Sequence, residues 1–303
     1  MTRPVARMSR RIDTPVLGGG RGHLSDWLTQ RWVEWAGRRV VFDDAPWLRG
    51  RSGGVGEIGA GFFERAAATE GLRCDDTSPR RGLLDDFATL AGPGFDVARV
   101  HPEVVRFYED TAAYELDVWS QWAAPFRPFG EILAALFSRR LQQLNVPLTP
   151  LDASLGVTNR VIKLRDPSGA IRETAWVRTL VATGNTLYAG SYGVCSVPAE
   201  PGPCMRVAFP LPNGSAIVVM RPHANEDGSL EVASVGDAYG SAGFYFFVSD
   251  GAGGGWARYV RALRETIRVY VDASGVARAD HVLNLFGAPF LRLHYRMRRR
   301  AGA

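Results

Sequence analysis

From Leu151 to Met297 the chain alternates between apolar and polar residues over many short runs, and turn residues separate most of these runs. A period of two is typical of β-strands with one buried face. Asn213-Gly214 lies between two of the runs and favours a two-residue hairpin turn. Asp166 to Gly169, Asp227-Gly228 and Ser274-Gly275 supply turn residues between others. The C-terminal half is therefore predicted to be an antiparallel sheet built from successive hairpins.

Ten runs are predicted to be strands of this sheet. They are Val161 to Leu164, Ile171 to Val181, Leu187 to Val197, Val207 to Leu211, Ala216 to Met220, Leu230 to Val235, Phe244 to Val248, Ile267 to Val271, Val276 to Phe286 and Phe290 to Met297. Residues Trp256 to Leu263 are predicted to interrupt them with a helix. A sheet of this size must curl, close or split into two layers.

Two amphipathic helices are predicted to precede the sheet, over residues 103–145. Pro102 suits the first turn of a helix, and a helical spacing of apolar residues follows it. These residues are Val104, Val105, Tyr108, Ala112, Leu116, Trp119 and Trp122. A second apolar face runs from Phe129 to Leu144. The predicted fold class is α+β: a curved, largely antiparallel sheet of about ten strands, as a partly closed barrel or two layers, packed with this helix pair.

The rest of the chain is predicted to be less regular. Residues 1–24 form an Arg- and Gly-rich arm that is expected to be disordered. Residues 25–102 are predicted to be an irregular extension with short helices, from Ser25 to Gly37 and from Phe62 to Glu70, and a brief strand from Arg39 to Phe42. Residues 103–300 then form a single α+β domain, with the sheet over residues 151–298.

Composition narrows the class of protein. No run approaches the roughly 18 apolar residues that a membrane span requires, and the Arg-rich N-terminus leads into glycines rather than an apolar signal segment. A cytoplasmic location without a membrane span is the resulting prediction. The net charge is +5, but Lys163 is the sole lysine among 36 basic residues, which indicates the codon bias of a GC-rich bacterial genome. The basic residues are spread among 31 acids, so no specific nucleic-acid partner is predicted.

Motifs for metal, cofactor or nucleophile chemistry are missing from the sequence. The three cysteines, Cys74, Cys195 and Cys204, have no C-x-x-C spacing, and the five histidines show no metal-ligand spacing. Cys195 and Cys204 either pair across neighbouring strands or act as small buried apolar residues. No G-x-S-x-G, H-E-x-x-H or Walker motif occurs. We therefore predict neither a metal nor a cofactor.

Charged residues at apolar positions are the most suggestive site candidates. In the helical projection Glu115 falls among the apolar residues of the first helix, and Arg140 among those of the second. A buried charge is costly unless it is paired, so the two are predicted to lie close together or to bind a common polar group. Two interpretations remain open: a structural ion pair that fixes helix packing, or a pair that faces a ligand and supplies acid–base chemistry.

The strands offer further candidates. Arg292 and His294 lie on the basic face of the last predicted strand, which is either solvated or available to an acidic ligand group. Trp176 and Arg178 share one face of another strand. The aromatic residues Tyr108, Trp119, Trp122 and Trp176 either fill the core or line an apolar pocket.

Three functions fit these observations, and the sequence leaves both catalysis and the oligomeric state open. The leading hypothesis is binding of an apolar or aromatic small molecule between the sheet and the helices. Cyclase- or isomerase-type chemistry by Glu115, Arg140 and His294 is a possible addition, with Tyr108, Trp119, Trp122, Trp176, Arg178 and Arg292 as ligand-binding residues. A second hypothesis is nucleotide or dinucleotide binding by Gly54 to Gly59, which spell G-x-G-x-x-G. A third is a non-enzymatic interaction protein that uses its Trp-rich N-terminal extension.

Overall fold

The structure is a computed structural model. It describes residues 16–17, 20, 22–56, 58–78, 80–123, 126, 141–143, 145–147 and 155–300. Most of the predicted N-terminal arm, most of the second predicted helix and its residue Arg140 lie outside the described residues.

Three α-helices occur in the described part of the chain. They are α1 (Leu24–Ala36), α2 (Phe62–Glu70) and α3 (Pro102–Glu109), with short 3-10 helices at Pro46–Leu48, Phe87–Leu90, Val97–Arg99 and Thr111–Ala113. The backbone N–H of His23 donates to the Asp26 carboxylate and so satisfies a free donor at the start of α1. Gly71 ends α2 in the left-handed conformation, at φ 68°. Both short helices of the N-terminal extension are confirmed.

Sixteen β-strands occur among the described residues. They are β1 (Val16–Leu17), β2 (Gly22–His23), β3 (Arg38–Val41), β4 (Arg73–Asp75), β5 (Tyr114–Trp122), β6 (Arg160–Arg165), β7 (Ile171–Thr179), β8 (Thr186–Cys195), β9 (Cys204–Leu211), β10 (Gly214–Ala224), β11 (Leu230–Ala233), β12 (Gly243–Ser249), β13 (Gly254–Tyr259), β14 (Leu263–Val271), β15 (Ala277–Leu285) and β16 (Ala288–Arg299). The predicted hairpin joins β9 to β10, but its two-residue turn is Pro212-Asn213 rather than Asn213-Gly214, because Gly214 already pairs with Leu211 as the first residue of β10. Asn213 takes a positive φ of 58°.

Fourteen of these strands form one large antiparallel sheet. Its main path runs β4-β6-β7-β8-β9-β10-β11-β14-β15-β16-β5, and β12, β13 and β3 branch from β10. The long strand β10 makes the branch possible, because residues 214–219 pair with β12 and residues 221–224 pair with β11. The predicted curved antiparallel sheet and the α+β class are confirmed.

The sheet curls until its two ends approach one another, but it is not closed. Val157 forms isolated bridges both to Leu116 of β5 and to Leu180, just beyond β7. Close by, the buried Asn159 amide donates to the carbonyl oxygens of Thr111 (2.6 Å) and Tyr114 (2.8 Å), and its oxygen accepts from the Trp176 indole (2.6 Å). Through these hydrogen bonds Asn159 joins the start of β5 to β7.

The first predicted helix is wrong beyond Glu109. Residues Tyr114–Trp122 form strand β5, which pairs with β16 along nine residue pairs from Leu291↔Trp122 to Arg299↔Tyr114. Within this segment Tyr114, Leu116 and Val118 alternate with polar residues, so a period of two is superimposed on the helical spacing. Pairing with β16 satisfies the backbone and selects the strand.

The predicted helix at Trp256 to Leu263 is also wrong. Residues Gly254–Tyr259 form β13, which pairs with β12 on one side and with β3 on the other. The N-terminal extension supplies β3, and it also supplies β4, which pairs with β6. The backbone N–H and C=O groups of β13 therefore bond to β12 and β3, whereas in a helix they would bond to one another.

The two faces of the sheet are buried in different ways. The inner face carries the largest apolar cluster, which includes Val161, Val218, Leu230 and Leu293. Two smaller clusters cover parts of the outer face, one under the 3-10 helix Pro46–Leu48 and the other under α2. The N-terminal extension therefore covers apolar surface that the curled sheet cannot bury by itself.

Cys195 and Cys204 lie opposite one another on β8 and β9 and are free thiols. Burial raises the pKa of Cys195 to about 11 and that of Cys204 to about 12. At pH 8 each thiol is therefore thiolate in only about one part per thousand or less. We expect iodoacetamide to leave both cysteines unmodified in the native protein, as peptide mass spectrometry would show.

The matched control is the same alkylation in denaturant, where all three cysteines should react within the same time. Fast native modification of Cys204 would contradict the buried position of its thiol.

Candidate functional site

A cavity of about 480 Å³ lies inside the curled sheet. Its walls are mainly apolar and aromatic side chains from the inner face. They include Val207, Phe209, Met220, Phe244, Ile267, Val269, Leu291 and Leu293. Two helices complete the enclosure: α1 contributes Gln30 and Val33, and α3 contributes Phe107 and Tyr108. A cavity of this size and lining is typical of a small-molecule site.

Arg178 contributes a cation to this cavity wall. The residue is only 8% exposed, and its guanidinium carbon lies 4.2 Å from the ring centre of Trp176, 4.7 Å from that of Tyr188 and 5.4 Å from that of Tyr295. Its Nε is buried, and among the described residues it has no hydrogen-bond partner and no carboxylate that pairs with the guanidinium. Aromatic faces stabilise a cation in part, but a buried guanidinium ordinarily also pairs with an anion.

Tyrosine side chains surround this guanidinium. Burial raises the pKa values of the Tyr188 and Tyr192 phenols well above the ordinary value, although the charge of Arg178 lowers both pKa values. Both phenols therefore remain protonated at neutral pH. Protonated phenols beside a guanidinium form an environment rich in hydrogen-bond donors, which suits an anionic or strongly polar group.

An acid–base pair lies on another part of the same wall. His281 Nε2 of β15 lies 3.0 Å from Glu265 Oε2 of β14, and both side chains are largely buried. The charge of Glu265 also acts on the pKa values of Tyr188 and Tyr192, so the carboxylate and Arg178 both lie near the two phenols. The cavity thus combines an apolar body, a carboxylate paired with a histidine, and a cation that has no carboxylate partner among the described residues.

The structure places four of the predicted ligand-binding residues at this cavity. They are Tyr108, Trp122, Trp176 and Arg178. Trp122 is held in place by a hydrogen bond from its indole to the carbonyl oxygen of Pro147 (3.1 Å), and Trp176 by the one to Asn159. Their proximity rests on the curl of the sheet, which brings β5 and β7 to neighbouring positions around the interior.

The other predicted site residues lie elsewhere. Glu115 was predicted on a buried helix face, which is wrong: it lies on the outer face of β5, its side chain is 59% exposed, and Arg298 is 3.9 Å away. His294 also faces outward, bonded to Asp280 at 2.7 Å and stacked near Trp119. Arg292 is exposed on the same face of β16. These residues lie on the outer face of the sheet because its apolar face turns inward. The predicted partner of Glu115, Arg140, is outside the described residues.

The glycines from Gly54 to Gly59 do not have the geometry of a dinucleotide fingerprint. The preceding 3-10 helix ends at Leu48, and the β-pairing recorded for the described residues between it and α2, which begins at Phe62, is an isolated bridge from Gly53 to Pro212. Gly54 and Gly56 are exposed. In the described part of this loop, no strand runs directly into the first glycine, as the fingerprint requires.

Sequence reasoning missed Glu265 and His281. Glu265 occupies the inward phase of a strand whose other inward residues include Leu263, Ile267 and Val269. His281 occupies the inward phase of β15 in the same way, with Ala279. A charged or titratable residue in the apolar phase of an alternating strand is the signal that identifies both positions.

Comparison with known proteins adds one relative. A curated protein of Bacillus subtilis (strain 168), "Uncharacterized membrane protein YndJ", is 26% identical to this chain over 230 residues. The match covers 74% of this chain and 39% of that protein, so the chain spans about two-fifths of the relative's length. No protein-family model and no solved structure matches the chain.

None of the helices in the described part of the chain has both the length and the apolar character that a membrane-crossing helix needs.

Proposed function

We propose that this protein binds an apolar small molecule that carries an anionic group, inside the curled sheet. The apolar body of the ligand would occupy the cavity, and a carboxylate or similar anion would pair with Arg178. The observation that carries the proposal is the buried guanidinium of Arg178, which faces a largely apolar cavity without an anionic partner among the described residues.

The surroundings of Arg178 support an anion rather than a neutral ligand. Stacking on Trp176 and Tyr188 holds the guanidinium in place, so little side-chain freedom remains to be lost on binding. The Tyr188 phenol is buried without a hydrogen-bond partner among the described residues, so it is available as a neighbouring donor. An apolar cavity also strengthens a charged hydrogen bond, because water that would screen it is excluded.

The Glu265 and His281 pair supports a second, narrower possibility in the same cavity. A hydrogen-bonded imidazole and carboxylate can accept and return a proton on a bound ligand, which is the requirement for isomerisation or cyclisation. This chemistry would use Glu265 and His281 rather than Glu115 and His294, which lie outside the cavity.

The proposed binding is tested with a saturated long-chain carboxylate and the alcohol of the same chain length. Isothermal titration of the full chain, after extraction of any co-purifying compound, is expected to show binding of the acid at least about tenfold tighter than that of the alcohol. Native mass spectrometry of the unextracted protein would identify what it carries from the cell. Equal affinity for acid and alcohol, or binding of neither, would overturn the proposal.

A further inference from the structure

Helix α1 has its polar side buried and its apolar side exposed. Asp26 and Gln30, together with Val33, face the interior and are buried. Four apolar residues of α1 are exposed: Leu24, Leu28, Trp32 and Trp35. Their spacing of four, four and three residues places them along one side of the helix. We call these four residues the α1 stripe.

The α1 stripe is unusual for a helix that packs on a sheet, which ordinarily buries its apolar residues. Trp35, at the C-terminal end of the helix, is 88% exposed. The aromatic side chain of Phe286, at the turn between β15 and β16, is 85% exposed. Phe286 shares a groove with Trp32 of the stripe. Exposed aromatic residues that share a surface in this way mark a site that is covered by a partner.

An arginine-rich groove lies at the C-terminal end of the α1 stripe. Trp32 and Ala36 of α1 line this groove together with Phe286 and four arginines: Arg38, Arg258, Arg261 and Arg264. Its lining contains no carboxylate among the described residues. Asp237, which is bonded to Arg264 at 3.1 Å, lies at its margin.

Two of these arginines rest on aromatic rings. The guanidinium carbon of Arg38 lies 4.2 Å from the ring centre of Tyr239, and that of Arg258 lies 5.8 Å from that of Trp32. Arg261 donates to the backbone oxygen of Asp237. The positive charge of the groove is therefore only weakly neutralised and remains available to an anionic partner.

We propose that the α1 stripe and the arginine groove dock this protein on an anionic membrane surface. Exposed tryptophans suit the boundary between headgroups and hydrocarbon, and arginines suit anionic headgroups. A second copy of the chain fits less well, because it would bring a groove of the same positive sign to the assembly. Since the opposite side of α1 lines the ligand cavity, docking would place that cavity one helix away from the lipid.

Vesicle flotation of the purified full chain tests this docking. The protein is expected to float with vesicles that contain phosphatidylserine and to stay behind with vesicles of phosphatidylcholine alone. Binding should weaken as salt is added, because salt screens the arginines. Each arginine near the surface strengthens partitioning about fivefold, so Arg38→Gln with Arg261→Gln should weaken it roughly 25-fold.

Removal of the α1 stripe is the second arm of the test. Leu28→Ser with Trp35→Ser is expected to weaken partitioning at least about tenfold, because both apolar side chains leave the lipid. These side chains are exposed, so the fold should survive, which circular dichroism and thermal unfolding would verify. The matched controls are Leu155→Ser with Val181→Ser and Arg49→Gln with Arg172→Gln, all exposed positions outside the stripe and groove.

Several results would overturn the docking proposal. One is the absence of flotation with anionic vesicles, and another is flotation that the control variants reduce as much as the stripe variant does. A concentration-dependent dimer without vesicle binding, dissolved by Trp35→Ser, would assign the stripe to a second copy instead. These outcomes are independent of the ligand titration, so either proposal can fail while the other stands.

Discussion

Replacement of Arg178 by methionine is expected to lower the affinity for a long-chain carboxylate by about 100-fold. The variant removes a charged hydrogen bond worth up to about 3 kcal/mol in an apolar cavity, while methionine keeps much of the side-chain volume. Affinity for the alcohol of the same length should stay within a few-fold. Isothermal titration with both ligands measures the difference, which is specific for the anionic group.

The ligand-free stability of the same variant provides an independent measurement. The free energy of unfolding is expected to stay constant or rise, because the guanidinium of Arg178 is buried without an anionic partner among the described residues. The matched control is Arg172→Met on the same strand, where the arginine is exposed and pairs with Asp166. An Arg178→Met protein that binds the acid as tightly as the wild type would contradict the role of Arg178 as the anchor.

Replacement of Asn159 by alanine is expected to lower the free energy of unfolding by about 4 kcal/mol. The Asn159 side chain makes three buried hydrogen bonds, and its removal leaves the indole of Trp176 without this partner and takes one donor from each of the carbonyl oxygens of Thr111 and Tyr114. Each lost hydrogen bond costs about 1 kcal/mol. Each buried polar group left unsatisfied costs about 1 to 3 kcal/mol. Urea unfolding followed by fluorescence would measure the loss as a lower midpoint.

The matched control for Asn159 is Asn225→Ala. Among the described residues the Asn225 side chain bonds to Ser229 within its own turn, so its loss should cost less than about 1 kcal/mol. A cost for Asn159→Ala no larger than that of the control would contradict the role of Asn159 in joining β5 to β7. Because Trp176 stacks on Arg178, Asn159→Ala should also weaken binding of the carboxylate.

The sequence by itself was sufficient to predict the elements that local chemistry specifies. Asn213 marks the turn between β9 and β10, although that turn lies one residue earlier than predicted, and Gly37 and Gly71 end α1 and α2. Alternation of apolar and polar residues predicts most strands of the sheet, along with the placement of Trp176 and Arg178 on one face. These features depend on residues within a few positions of one another, so their signal is complete in a short stretch of chain.

Long-range pairing decided the remainder. The apolar residues of segment 114–122 fit a helical pattern and a strand pattern equally. Pairing with β16 selects the strand. This pairing is long-range, because Asp117 and Arg296, which are in contact, are almost 180 residues apart in the chain. The meeting of Glu265 with His281 depends on the register of β14 against β15. That Arg178 faces a cavity depends on the curl of the sheet. Only tertiary structure determines such features, because their energies come from contacts that no local pattern specifies.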